Sequence, residues 1–226
     1  MERCCEPELM DDQEQARIYA EADFDASDAA LVERILTLAG AQGLGARLVD
    51  LGCGPGNITL RLARQCPGLE LLGLDGSAPM LAIAEHRRLA DPALWPGLSF
   101  RQLQLPLEPE AAAALAGRFS AIVSNSLLHH LHDPMVLWRS VQLLAAPGAL
   151  VHIHDLRRPA DEAELENLVE RHAADAPAVL QRDYRASLHA AFRPAEVMAQ
   201  LTAAGLQGLA VSWVEDRYLQ VSGRLG

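Results

Sequence analysis

Leu48-Val49-Asp50-Leu51-Gly52-Cys53-Gly54-Pro55-Gly56-Asn57 decides how this chain folds. A leucine- and valine-rich run that breaks into closely spaced glycines and continues as a helix reads as a strand whose carboxyl end turns tightly beneath a ligand. Residues without a Cβ accept positive φ and let the backbone approach whatever lies above it. Gly52, Gly54 and Gly56 therefore make the turn, and Pro55 stiffens it. Charge narrows the ligand further. A dinucleotide fingerprint is spaced G-x-G-x-x-G, so that its pyrophosphate reaches the N-terminus of the next helix. Here the spacing is G-x-G-x-G, with Asp50 two residues before the first glycine. A carboxylate at that point repels phosphate and suits a sulfonium or an ammonium group.

A second acid, Asp75, follows the apolar run Leu71-Leu72-Gly73-Leu74, the predicted second strand. It falls roughly 20 residues beyond the glycine turn, where open α/β folds place the acid that holds a ribose. On these residues the chain resembles the class I S-adenosylmethionine-dependent methyltransferases, whose first motif has the form of Val49 to Gly56 and whose second ends in an acid like Asp75. The resemblance implies an α/β fold: a Rossmann-like open sheet, mostly parallel with a C-terminal antiparallel hairpin, and helices on both faces. It implies S-adenosyl-L-methionine as cofactor and a small-molecule acceptor. Cofactor contacts are expected from Asp50, Gly52, Cys53, Gly54, Asn57, Asp75 and Gly76. Tyr19, with Phe24, is a candidate for an N-terminal lid, and Met80 is expected to touch the adenine. Where many relatives carry an acid that reads the adenine amino group, this chain has Gln104, whose amide oxygen can accept the same hydrogen bond.

The second informative stretch runs from Ala121 to Pro134, in which Ile122-Val123 continue a strand and Asn125, Ser126, His129, His130 and His132 follow at its carboxyl end. Open α/β sheets bind ligands there. Asn125, Ser126 and His129 are expected to face the cofactor. The Asn-Pro-Pro-aromatic motif of many nucleic-acid base methyltransferases is not present. His152, His154 and Asp155 end the next strand, and imidazole is the side chain best suited to proton transfer near neutral pH. His130, His154 and Asp155 are accordingly the candidate catalytic residues. A sulfonium donor carries an excellent leaving group, so aligning nucleophile, methyl carbon and sulfur is most of the task. No metal is expected: the cysteines Cys4, Cys5, Cys53 and Cys66 lack zinc-ligand spacing, and a histidine-built site needs converging ring nitrogens and usually a carboxylate.

One domain suffices for the 226 residues. Residues 1–40 read as N-terminal helices, 11–21 and 27–39, the second capped by Ser27; 47–155 form the cofactor-binding core. Further helices are expected at Asn57–Gln65, from Ser77 to about Leu89, and from Pro134 to Ala145, with strands at Leu98–Leu103 and Ala149–His154. Residues 156–193 are a charged helical insertion that, by the resemblance, covers the acceptor, and 194–226 close the fold with one helix and two strands. Cys4-Cys5 lies in a terminal segment of the kind that is commonly loose. If two arginines of the insertion, Arg182 and Arg185 among them, point inward, the acceptor carries a carboxylate, which arginine binds bidentately.

The formal net charge of −11 argues against nucleic-acid and anionic-membrane partners, which need a basic stripe. The sequence shows neither a membrane-length apolar run nor a signal-peptide pattern, so a cytoplasmic location is expected. Two other functions fit parts of the pattern. A non-catalytic cofactor-binding protein would keep the same pocket, and a dinucleotide-dependent oxidoreductase would share the strand-turn-helix but not the glycine spacing or Asp50.

Overall fold

The alternation along the first strand sets the layers. In β1 (Arg47–Leu51) Leu48 faces one side of the sheet, against α2 (Asp25–Ala39) and α3 (Asn57–Gln65), while Val49 and Leu51 face the other. That opposite side is covered by α6 (Met135–Leu144) and α9 (Pro194–Ala203). A strand buried on both faces belongs in the middle of a parallel sheet.

The computed structural model describes residues 1–226, the side chain of Leu94 excepted. The other strands are β2 (Glu70–Asp75), β3 (Leu98–Gln102), β4 (Phe119–Asn125), β5 (Ala145–Leu156), β6 (Ala210–Val214) and β7 (Tyr218–Arg224). They form a seven-stranded sheet in the order β3-β2-β1-β4-β5-β7-β6. β1 to β5 pair in parallel, and β7 runs antiparallel to both β5 and β6. The order reverses beside β1, so the carboxyl ends of β1 and β4 open a crevice at the topological switch point. The remaining helices are α1 (Gln13–Glu21), α4 (Ala78–Ala90), α5 (Pro109–Leu115), α7 (Glu162–Ala173) and α8 (Ala178–Ala190). Among the described residues no helix is long and apolar enough to cross a membrane.

Three expectations need correction. The second helix begins at Asp25 rather than at a Ser27 cap, because Ser27 turns its hydroxyl back to donate to the Phe24 carbonyl (3.0 Å). β5 begins at Ala145 instead of 149, since Ala145 already pairs with Phe119 and Gly148 donates its amide to Leu225 (2.8 Å). The first ten residues are pinned as a strap. Cys4 donates its amide to His189 (3.0 Å), Arg3 donates to the carbonyls of Ala190, His129 and Leu131, and Ser77 donates its hydroxyl to the Met10 carbonyl (2.7 Å). The carbonyls at the end of α8 and in the loop after β4 give that strap its partners.

Candidate active site

Gly52 takes φ +70°, and a Cβ there would lie 2.9 Å from the Leu127 side chain, so only glycine fits beneath the loop after β4. At Gly54, with φ +52°, nothing lies within 4 Å of the corresponding Cβ position. The loop is therefore packed on one side and open above. Arg87 of α4 fastens it, donating to the Pro55 carbonyl (2.9 Å), to Asn57 Oδ1 (2.7 Å) and to the Ala20 carbonyl of α1 (2.7 Å).

Asp75, at the end of β2, receives the Gly54 amide on Oδ2 and the Ser77 amide on Oδ1, each at 2.8 Å. Burial holds its carboxyl above the ordinary value, against the pull of those two amides. Each oxygen keeps a lone pair, and two vicinal hydroxyls of a ribose can donate to them. Asp50 lies deeper. It is 1% exposed, Thr59 donates its hydroxyl to Oδ2 (2.6 Å), and burial pushes its pKa up to about 7. Cys53, buried between these acids, has its thiol pushed well up by burial.

Asp50 gives a pH prediction whose sign is fixed. The native carboxyl keeps its proton up to about pH 7, whereas an unfolded aspartate releases it near ~3.9. The unfolded state then binds fewer protons across that window, and stability falls as pH rises through it. Asp50→Asn is expected to make this decline shallower in urea melts of the ligand-free chain from about pH 4 to pH 8. An unchanged slope would show that Asp50 is ionised in the native state throughout.

Every residue expected to hold the cofactor, from Tyr19 and Asp50 through Gln104 to Asn125, Ser126 and His129, lines one cavity of about 1050 Å³. Met80, Leu103 and Leu105 give the end beside Asp75 apolar walls, and Glu8, Leu9 and Met10 of the strap line that end too. Tyr19 packs on Phe24 with ring centroids 5.1 Å apart. The shape and donor set fit S-adenosylmethionine: paired acceptors for a ribose, apolar walls for adenine, a bare backbone turn, and acids toward a cationic end.

The three candidate catalytic residues divide. His130 lines the cavity; its Nδ1 lies 3.2 Å from the Pro7 carbonyl and 3.3 Å from Glu6, which leaves Nε2 as the open nitrogen. Burial and the neighbouring His129 push its pKa down to about 3. His154 lies outside the cavity lining, beneath Tyr218 (ring centroids 4.4 Å apart), with Nδ1 on the Asn125 side-chain oxygen (3.0 Å). Burial pushes it down to about 4. Asp155 is buried against His129, touching its Nδ1 with one carboxylate oxygen. Burial disfavours charge on His129, but Asp155 outweighs it and holds the imidazole above its ordinary value. Asp155, pushed up by burial, is in turn held below the usual carboxylate range by His129.

The far end of the cavity is built by α7, α8 and the β6–β7 turn. Arg182 and Arg185 are not part of its wall: Arg182 is exposed and reaches back to the wall residue Asp183 (2.8 Å), and Arg185 pairs with Glu166 (2.9 Å). Arg217, which sequence reading passed over, lines this end together with Arg171, whose charge is paired with Asp216. The Arg217 guanidinium lies 4.7 Å above the Tyr218 ring, its Nε is buried with no hydrogen-bond partner among the described residues, and the Tyr184 hydroxyl, pushed up by burial against the pull of the guanidinium, lies close by. Glu6 and the rest of the strap were also missed, since an irregular segment carries no periodic signal.

The profile of a family described as a methyltransferase domain matches residues 21–210. The trans-aconitate 2-methyltransferase of Deinococcus radiodurans is 39% identical over 106 residues, 46% of this chain and 36% of that protein. The ubiquinone biosynthesis O-methyltransferase of Acinetobacter baylyi is 30% identical over 115 residues, 50% of this chain and 45% of that protein. The chain thus spans less than half of either relative. Among solved structures, a SAM-dependent methyltransferase from Aquifex aeolicus gives a TM-score of 0.65 at 16% identity, covering 94% of this chain and 98% of its own. The plantazolicin methyltransferase BpumL, solved with SAH and a pentazolic desmethylPZN analog, gives 0.69 at 12% identity, covering 95% and 90%. At such identities the likeness is one of fold.

Proposed function

We propose that this chain, which belongs to the methyltransferase-domain family, transfers a methyl group from S-adenosylmethionine to a small acceptor that carries a carboxylate. The observation that carries the first half is Asp75, clamped by two loop amides and facing a cavity large enough for two ligands. When bound, S-adenosylmethionine supplies an electrophilic methyl on a sulfonium that departs as a neutral thioether. The work left to the protein is alignment, which can supply most of the rate when the nucleophile is held in line.

Arg217 and Tyr184 support the second half. A buried guanidinium nitrogen without a partner is costly unless a ligand satisfies it, and the Tyr184 hydroxyl lies beside the same guanidinium. A carboxylate accepts from both, and arginine is the side chain suited to planar oxyanions. Residues 156–193, with α7 and α8, cover this acceptor end. His130 contacts the acceptor through its open Nε2, whereas His154 and Asp155 act through Asn125 and His129 as positioning residues. His130→Ala and His154→Ala are then expected to lower kcat only a few-fold; a loss of 10²–10⁴ with a flattened acid limb of the pH profile would instead indicate general-base catalysis.

The test uses methyl-labelled S-adenosylmethionine with mono-, di- and tricarboxylic acids beside uncharged phenols. Label should move to an acid. Turnover on phenols alone would remove the carboxylate, and cofactor binding without any turnover would favour a non-catalytic protein.

A further inference from the structure

Glu6 reaches from the N-terminal strap into the loop after β4, where its side chain is 9% exposed. Its Oε1 lies 3.4 Å from His129 Nε2 and 3.3 Å from His130 Nδ1. Neither contact has the geometry of a hydrogen bond, and Oε1 has no hydrogen-bond partner among the described residues. Buried polar atoms in native proteins are nearly all paired, and an orphan calls for an explanation such as a bound ion.

The spacing supplies one. Two ligand atoms, each about 2.0–2.1 Å from a tetrahedral ion, lie about 3.3–3.4 Å apart. One ligand atom from each of Glu6, His129 and His130 lies within 4.8 Å of the others. The surroundings complete the pattern. Asp155 sits on Nδ1 of His129, and a carboxylate bonded to that nitrogen's hydrogen fixes the tautomer whose Nε2 lone pair points the other way, toward Glu6. Two carboxylates, Glu6 and Asp155, flank the His129 ring, and a cation bound at Nε2 takes the place of the proton that those acids favour there. Arg3 holds strap and loop together by donating to the carbonyls of His129 and Leu131, at 2.9 Å each.

From this geometry we propose that Glu6, His129 and His130 form a binding site for a borderline divalent cation of the zinc type. Mixed imidazole and carboxylate ligation suits zinc better than calcium or magnesium. His130 Nδ1, which faces the Pro7 carbonyl at 3.2 Å, ligates in the tautomer that carries the ring hydrogen on Nε2, and Nε2–H then faces the cavity as a donor. A water or the Pro7 carbonyl fills the fourth position. Glu6 itself is not part of the cavity wall, but Glu8, Leu9 and Met10 further along the strap are. The ion therefore locks the strap over the end of the cavity beside Asp75. It stands apart from the methyl-transfer reading, and its test does not depend on turnover.

The full chain, stripped with a chelator and carrying Cys4→Ser and Cys5→Ser to remove exposed thiols, is titrated with Co²⁺ and then Zn²⁺. The expected result is one Co²⁺ per chain with intense tetrahedral visible bands, displaced by Zn²⁺. Glu6→Gln, which keeps the side chain's size and removes its carboxylate charge, should weaken Co²⁺ binding at least ten-fold; Glu8→Gln should not. His129→Asn should abolish the bands, with circular dichroism confirming the fold. Absence of tetrahedral bands in the parent chain, or equal binding in Glu6→Gln, overturns the proposal.

Discussion

Asp75→Ala is expected to weaken S-adenosylmethionine binding about 10- to 150-fold, the equivalent of about 1.5–3 kcal/mol for hydrogen bonds to a charged acceptor. The loss has two sources. Both ribose hydroxyls lose their acceptor, and the amides of Gly54 and Ser77 lose the carboxylate that now holds them at 2.8 Å. The second loss loosens the glycine turn and the entrance to α4 together, so Asp75→Asn, which keeps one acceptor oxygen, should fall between alanine and the parent chain. Titration calorimetry against cofactor and demethylated product checks both variants. A dissociation constant unchanged in Asp75→Ala would mean that the ribose is held elsewhere.

Arg217→Met should raise KM for an acidic acceptor about 10- to 150-fold, again the worth of hydrogen bonds to a charged partner, while leaving cofactor affinity within a few-fold. Methionine keeps much of the apolar stem over the Tyr218 ring, so the change isolates the guanidinium. Tyr184→Phe should raise KM less, because it removes a single neutral donor. If Arg217→Met alters kcat with KM unchanged, the guanidinium acts in the transition state and not as an acceptor anchor.

The nucleoside half of the cavity was legible in the sequence because its parts are local. A strand, a glycine turn and an acid after the next strand occupy consecutive elements, and parallel pairing of β1 with β2 in the register Leu51 to Leu74 brings turn and acid together. The acceptor half was not, for reasons visible in single residues. Arg182 and Arg185 lie on the same helix as Asp183 and Tyr184, and only the packing of α8 decides that the aspartate and the tyrosine reach the cavity while the two arginines stay outside its wall. Arg217 sits in a hairpin turn, where the Val214 to Tyr218 pairing aims its side chain. The strap residues Arg3 and Glu6 meet partners more than 120 positions away through main-chain carbonyls and ring nitrogens, contacts that no periodicity announces. His154 stands outside the cavity wall for a related reason: alternation along β5 puts it with His152 on the face toward Tyr218 and α2.

Titration calorimetry of the purified chain with S-adenosylmethionine, S-adenosylhomocysteine and a nicotinamide dinucleotide tests the central claim most directly. The expected result is saturable one-to-one binding of both sulfur ligands and no heat from the dinucleotide. Silence with both sulfur ligands and a clear isotherm with the dinucleotide would contradict it.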